Sequence, residues 1–283
     1  MNAVTTARSR IEAASRSVAR ASAARPAAAA IAAKDLERDL AHAVGAEVRW
    51  AFTPPRTWLL GVVGNLVLAV VWLTLQPLTA QGRHQDWVIL VGTYFASFVL
   101  ADVTTTNLLG ADHHRVRHAF SRGVPLWRIL IVKNLALVAL VGVPTLGAAM
   151  ALTLWFESAD RLVVTIPNVA VPIVSWIGLG NLVSVLLPVS AQPLTRRWRR
   201  RDERRHTARW VASLTLPYAL YYVADPMDGV GHRLLWRQAP SVIGPVFGRD
   251  TKGFVHLGIA VAVWLVGTAA AVAWAHRRGV RLE

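Results

Sequence analysis

The residues best suited to chemistry lie in one basic stretch near the middle of the chain. Asp112 is followed by His113, His114 and His118, and side chains three or four positions apart on a helix share one face. Imidazole and carboxylate groups in that arrangement can hold a metal ion. The stretch lacks the His-Glu-x-x-His order of zinc hydrolases and lies among arginines. We therefore predict a solvated or partner-facing helix rather than a metal site.

Other catalytic arrangements find less support. A serine hydrolase would need a histidine beside an embedded serine such as Ser175 or Ser184, and no other apolar segment carries a histidine well inside it. Glu157 and Asp160 are spaced for acid–base work, but they lie at the tip of a predicted short turn, where solvation is the simpler interpretation. Cysteine is absent, which excludes thiolate chemistry and disulfides.

The chain also lacks a motif for using ATP. No Gly-x-x-x-x-Gly-Lys-Ser/Thr sequence occurs, so ATP-driven work of that kind requires a separate subunit. The pair Gly178 and Gly180 lies inside an apolar segment with no strand before it, which suits close helix packing better than a dinucleotide site. We predict that this chain is not an enzyme and binds no cofactor of its own.

Two polar residues, Asp102 and Asn181, lie within or near apolar segments. Polar groups in such places usually face the interior of a helix bundle or a cavity. A role in a transport pathway is the sharper interpretation of both residues. For Asn181 we favour an interhelical hydrogen bond, a contact worth about 0.6 kcal/mol on average in one membrane protein.

The elements that position these residues are predicted to be membrane-spanning helices. Hydrophobic residues make up 54% of the 283 positions, and the mean hydropathy is +0.40, values suited to a protein largely dissolved in lipid. A span needs about 20 apolar residues. We predict an all-α membrane protein with a six-span domain over residues 58–283. Its apolar segments are 58–75, 87–100, 129–156, 163–187, 210–223 and 254–275.

The distribution of positive charge predicts the orientation. With the N-terminus in the cytoplasm, the cytoplasmic segments hold 25 of the 31 Lys and Arg residues, as the positive-inside rule requires. We predict a multi-pass plasma-membrane protein with both termini in the cytoplasm. The net charge of +15 then belongs to the cytoplasmic face, which removes the main support for nucleic-acid binding. The cytoplasmic segments are 1–57, 101–133, 188–209 and 276–283.

Three further segments have distinct compositions. Residues 1–33, rich in Ala, Arg and Ser, are typical of a disordered basic arm, although a transit peptide shares this bias. The run Arg196 to His206 is interpreted as a topology anchor that binds anionic membrane lipids, with docking of a soluble partner as the alternative. Residues 224–253 are too long for a passive hairpin, and a re-entrant external segment or an ordinary folded loop fits them.

Residues 34–57 predict an amphipathic helix before the first span. Apolar side chains recur at every fourth position, with charged residues elsewhere around the helix. Such a helix suits the cytoplasmic membrane surface, and packing on another protein surface is an equal alternative. The apolar positions are Leu36, Leu40, Val44 and Val48.

Two motifs are similar to those of a known family. Asn107-Leu-Leu-Gly110, Pro125-Leu-Trp-Arg128 and Lys133-Asn134-Leu-Ala136 resemble the stretch leading into the third span of ABC-2 type permeases. Gly180-Asn-Leu-Val-Ser-Val-Leu-Leu-Pro188 is similar to the end of that family's fourth span, and the layout of residues 35–283 resembles its six-span subunit. The chain departs from the family after the glycine, where Asp112 precedes two histidines instead of a basic residue or a glycine.

The resemblance implies the permease subunit of an ABC exporter. Such a subunit moves a hydrophobic, amphipathic or lipid-linked substrate outward, as a homodimer or heterodimer with a second permease copy. A separate P-loop ATPase subunit binds ATP and Mg and drives the movement. The segment between the second and third spans would then be a cytoplasmic coupling helix. The residues assigned to ATPase coupling are Asp112, His114, Arg115, Arg117, His118, Phe120, Arg122 and Arg128.

A second group is assigned to the pathway or to helix interfaces: Asp102, Asn107, Lys133, Asn134, Asn181 and Ser184. The alternative function is a stand-alone membrane enzyme or ion-coupled carrier that uses Asp102 and the cluster of His113, His114 and His118. A membrane anchor or assembly factor without transport of its own is a third interpretation.

Overall fold

The computed structural model describes residues 39–53, 107–189, 203–227 and 249–280, with scattered helical positions at 63, 67, 71, 89, 91–93, 96, 97 and 230. Within these residues the chain is helical and contains no strand. Several predictions fall outside them: the basic arm 1–33, Asp102, most of the basic run 196–206 and most of the connection 224–253. The first two predicted spans are described only at the scattered positions.

Eight α-helices are numbered here in chain order within the described residues. A π-helical turn, Val138–Gly142, joins α4 to α5, and a 3₁₀ turn, Ala159–Arg161, leads into α6. The helices are α1 (Leu40–Ala51), α2 (Leu108–Ala111), α3 (His113–Ser121), α4 (Leu126–Leu137), α5 (Val143–Phe156), α6 (Leu162–Leu186), α7 (Arg204–Ala224) and α8 (Arg249–Arg278).

Three stretches of helix among the described residues are long and apolar enough to cross a membrane: Leu126–Phe156, Ala159–Leu186 and Lys252–Arg278. They coincide with the third, fourth and sixth predicted spans, so the helical and membrane-protein predictions are confirmed at this level. Helix α7 covers the fifth predicted span but is not among the three; its first two turns carry Arg204, Arg205 and Arg209.

Helix α6 forms the centre of the described bundle. In the most apolar stretch of this helix 78% of the residues are buried, against 28% in that of Leu126–Phe156 and 22% in that of Lys252–Arg278. The outer helices instead expose large apolar side chains, among them Trp155 at 83% and Val266 at 68%. A water-soluble monomer rarely exposes so much apolar surface. The arrangement fits helices whose outer faces contact hydrocarbon.

Two glycines bring α6 and α8 into backbone contact. A methyl group at Gly178 would overlap the backbone of Trp264, and one at Gly267 would overlap the carbonyl group of Gly178. Small residues at a crossing point are what membrane helices need for close approach. The packing role predicted for Gly178 is therefore confirmed.

The connector between residues 107 and 125 is helical, as predicted, and ends at a defined turn. Gly123 has a φ of 81°, a conformation that favours glycine. The N–H groups of Gly123 and Val124 donate to the carbonyl groups of Phe120 and Ala119 at 2.9 and 3.1 Å. Pro125 then adopts extended geometry and caps α4. The turn fixes where α3 ends and where α4 begins.

Candidate functional site

Four charged side chains from three elements meet in a buried ion network where the connector contacts α1 and α4. Lys133 Nζ of α4 donates to Glu47 Oε1 of α1 at 2.8 Å and to Asp112 Oδ2 of the connector at 3.1 Å. Arg115 Nη1 of α3 donates to Glu47 Oε2 and lies 3.5 Å from Asp112 Oδ2. The network joins positions that are far apart in the sequence.

Burial makes this network strongly interdependent. The side chain of Arg115 is 0% exposed and that of Lys133 is 5% exposed, while those of Glu47 and Asp112 are 10% and 16% exposed. Two cations balance two carboxylates, so the group is neutral as a whole. Removing one member of a buried ion pair leaves an uncompensated charge and typically costs about 3–5 kcal/mol. Each member therefore constrains the positions of the other three.

Pairing outweighs burial in setting the ionisation of Glu47. Burial alone would raise the pKa of this carboxyl, but attraction and hydrogen bonds from Lys133 and Arg115 hold the pKa below its ordinary value of 4.5. The stability that Glu47 supplies is therefore complete above pH 4.5 and is lost as the pH falls through the lower folded-state pKa. For Arg115, burial alone would lower the pKa, but attraction from Glu47 and Asp112 raises that pKa above its ordinary value. The guanidinium therefore stays charged.

An apolar cluster surrounds the network and explains its position. In α3 the buried residues are Arg115, Val116 and Ala119. The two apolar residues pack in one core with Ala43 of α1 and Ile129 of α4. The Arg115 guanidinium carbon lies 5.3 Å from the ring centroid of Trp50 in α1, a cation–π distance. The connector is therefore held on α1 and α4 by apolar packing as well as by charge.

A second set of contacts anchors the start of the connector to the end of α6. Asn107 Nδ2 donates to the Val189 carbonyl oxygen, and Val189 N donates to Asn107 Oδ1 at 3.0 Å. The backbone N–H of Leu108 donates to Ser184 Oγ at 2.9 Å. Gly110 packs against the Val189 backbone, where any side chain would collide. The start of the connector and the segment around the end of α6 thus contact each other directly.

Within the helices that are long and apolar enough to cross a membrane, Asn134, Asn181 and Thr268 form a continuous polar chain. Asn181 Nδ2 donates to Thr268 Oγ1 at 2.8 Å, and Thr268 Oγ1 donates to the Trp264 carbonyl at 2.7 Å. The side-chain amide of Asn134 is oriented so that both its nitrogen and its oxygen have partners. The nitrogen donates to Asn181 Oδ1 at 2.9 Å, and the oxygen accepts from Trp264 Nε1 at 3.1 Å. These bonds join α4, α6 and α8, which is the interhelical role favoured for Asn181.

The predicted coupling residues divide into an exposed group and an internal one. His114, Arg117 and Arg122 are exposed, whereas His118, Phe120 and Arg128 are partly buried. Arg115 is fully buried and Asp112 shares its ion network. The side chains of Arg115 and Asp112 therefore hold the connector in place, and their assignment to ATPase coupling stays a prediction.

His113 belongs to neither group. Its Nδ1 lies 3.3 Å from the Gly110 carbonyl oxygen, and its ring centroid lies 4.0 Å from that of His114. Burial lowers the pKa of His113, and the neighbouring His114 and Arg117 lower it further. In the part of the chain described, no three His, Asp or Glu residues are placed to hold a metal ion.

Glu47 is the participant that the sequence interpretation missed. It is the single acidic residue of α1, on a helix whose other residues are apolar or basic or contain small side chains. The opposite charges of this lone carboxylate and of the lone lysine in the third apolar segment are the sequence feature from which the ion pair could have been predicted. The face of α1 against the protein carries Ala43, Ala46 and Glu47, while Leu40 is 42% exposed.

Comparison of the chain with protein-family models, with curated proteins and with solved structures gives no match. What the fold establishes is a helical chain with three described helices able to cross a membrane.

Proposed function

We propose that this chain is the six-span permease subunit of an ABC exporter, which moves a hydrophobic, amphipathic or lipid-linked substrate outward. A separate P-loop ATPase subunit supplies the energy from ATP, and two permease copies form the membrane unit. The single observation that carries the proposal is the connector. Helix α3 is tied to α1 and α4 by a buried ion network, while its opposite face exposes His114 and Arg117, and Arg122 is exposed just past its end.

This arrangement suits the transmission of movement. A helix that is to pass force from a soluble subunit into the membrane needs one face for the partner and one rigid attachment to the spans. The ion network attaches α3 to α4, and Asn107 attaches the connector to the end of α6. A displacement of α3 would therefore move α4 and α6 as a rigid body rather than bend a loop.

Charge supports placing the connector in the cytoplasm. Of the 31 Lys and Arg residues, 25 lie in the segments assigned to that side. The last turn of α8, at the same end of the bundle as the connector, carries His276, Arg277 and Arg278. In the proposed topology α7 provides the fifth span, and Arg204, Arg205 and Arg209 lie at its cytoplasmic end.

The test is co-purification of an ATPase from the native membrane. The tagged chain, extracted in mild detergent, is expected to bring down a P-loop ATPase identified by mass spectrometry. The triple variant His114→Ala/Arg117→Ala/Arg122→Ala is expected to lose at least about tenfold of that subunit, since interface charges of this kind contribute more than about 1.4 kcal/mol together. Its thermal stability should stay close to that of the original chain, because the three side chains are exposed.

The matched control removes basic residues from the opposite end of the bundle. Arg161→Ala/Lys252→Ala is expected to retain the ATPase, since both residues lie far along the spans from α3. A chain that brings down no ATPase, or a triple variant that retains it fully, would contradict the proposal.

A further inference from the structure

A groove of about 450 Å³ runs along the outside of the bundle between α4 and α8. Trp127 and Ile131 of α4 form one wall, and the small side chains of Ala269 and Ala273 lie on the α8 side. Trp264 lines one end and His276 the other. The volume falls within the range of cavities that hold small ligands.

The dimensions of the groove fit one leaflet of a membrane. From Trp264 to His276 the axis of α8 rises about 18 Å at 1.5 Å per residue. One leaflet contributes about 15 Å to the hydrocarbon core of a bilayer. An acyl chain that lay in the groove would therefore span its own leaflet and reach the level of the connector.

The two ends of the groove differ in chemistry. The Trp264 end is apolar, while His276 begins the basic last turn of α8 with Arg277 and Arg278. Arg277 is exposed and lies four residues after Ala273. It is therefore on the same face of α8, one turn closer to the end of the helix. Trp127, half exposed, stands at this end, as aromatic residues do at the level of lipid headgroups. None of the described residues that line the groove is acidic.

We propose that this groove binds one anionic phospholipid of the cytoplasmic leaflet. An acyl chain lies along Ala269 and Ala273, and the phosphate group lies by His276 and Arg277. The positive end complements a negatively charged headgroup, and the apolar body complements the chain. The proposal rests on the cytoplasmic orientation of the connector end given under Proposed function.

Native mass spectrometry of the purified chain tests the site. The chain in detergent is mixed with equal amounts of phosphatidylglycerol and phosphatidylcholine, and the lipids retained per chain are counted. One phosphatidylglycerol is expected to stay bound, with a preference of about fivefold for each basic side chain that it contacts. Arg277→Ala is expected to lower that preference about fivefold. Ala273→Phe is expected to displace the bound lipid by filling the groove.

Two controls separate the groove from general effects. Val266→Phe adds an aromatic ring at an exposed position of α8 that does not line the groove, and Arg278→Ala removes a charge whose guanidinium carbon lies 5.5 Å from the centroid of the Trp274 ring. Val266→Phe should retain the lipid as the original chain does, and Arg278→Ala should lower the lipid preference less than Arg277→Ala does.

Three results would overturn the lipid site: equal retention of the two lipids, unchanged retention in Ala273→Phe, or a lipid-free dimer that Ala273→Phe dissociates. The last result would mean that a second copy occupies the groove. ATPase co-purification is measured on the same samples. Lipid retention without an ATPase would contradict the proposed function alone, and an ATPase without lipid would contradict the lipid site alone.

Discussion

At the scale of single residues, Lys133 shows how this chain tolerates charge in an apolar setting. It lies in the third turn of α4, within a stretch long and apolar enough to cross a membrane. Its ammonium group is buried and shared between Glu47 and Asp112. A buried charge is tolerated when it is paired and hydrogen-bonded. The lysine thereby connects α4 to α1 and to the connector.

Replacement of Glu47 tests that connection. Glu47→Gln leaves two buried cations facing a single carboxylate, so the free energy of unfolding is expected to fall by about 3–5 kcal/mol. The loss should appear as a lower unfolding midpoint of the purified chain in detergent. The double variant Glu47→Gln/Lys133→Met removes one charge of each sign and should recover part of the loss.

The control for this prediction is a more exposed ion pair on the same chain. Glu157 Oε2 lies 3.3 Å from Arg161 Nε, and the side chains of Arg161 and Glu157 are 36% and 14% exposed. Because water solvates the guanidinium that is left behind, Glu157→Gln is expected to change the free energy of unfolding by about 1 kcal/mol or less. Equal midpoints for Glu47→Gln and the original chain would show that the buried network does not stabilise the fold.

At the scale of elements, the contact between α6 and α8 is the most extensive in the described bundle, and glycines make it possible. Gly267→Ala is expected to lower the unfolding midpoint, because the added methyl group meets the carbonyl oxygen of Gly178 at 2.5 Å. Backbone atoms cannot rotate away as a flexible side chain can, so the two helices must separate. Overpacking of this kind costs about 1–3 kcal/mol.

Gly258→Ala supplies the matched control on the same helix. Among the described residues, a methyl group at Gly258 meets nothing within 4 Å, and alanine is the better helix former by about 1 kcal/mol in water. This variant should match or exceed the stability of the original chain. If both glycine variants behave alike, close packing at Gly267 does not decide the α6–α8 contact.

The sequence predicts elements better than it predicts their contacts. The apolar runs around Leu130, Val171 and Val266 indicate the three described membrane-crossing helices, because length and hydropathy suffice for that inference. The Asn181 bond and the Gly178 packing were also predictable, since a polar or small residue inside an apolar helix has few other roles.

The local sequence pattern could not predict which side chains contact each other in the folded chain. Glu47 and Lys133 are 86 positions apart, and no periodicity links them. The burial of Arg115 was missed for the same reason: an arginine in a basic stretch suggests solvent, and only its contacts with Glu47 and the Trp50 ring show otherwise. The outward face of the connector therefore had to be found from the structure.

At the scale of the whole molecule, the proposed function needs the connector and the α5–α6 turn on opposite sides of the membrane. The chain contains no cysteine, so a single introduced thiol can be labelled without background. Ser121, at the end of α3, and Ser158, before the 3₁₀ turn, are both exposed. Ser121→Cys and Ser158→Cys are matched changes, since each replaces one hydroxyl group by a thiol at a surface position.

In intact cells a membrane-impermeant maleimide is expected to label Ser158→Cys at least about tenfold faster than Ser121→Cys, because an intact bilayer blocks a charged reagent. Ser121→Cys should be labelled only after the cells are permeabilised. The reverse pattern would place the connector outside and exclude a cytoplasmic ATPase as its partner. Equal labelling of both positions from outside would mean that Leu126–Phe156 does not cross the membrane. The expected pattern would put α3 on the side where ATP is available, as coupling to a soluble motor demands.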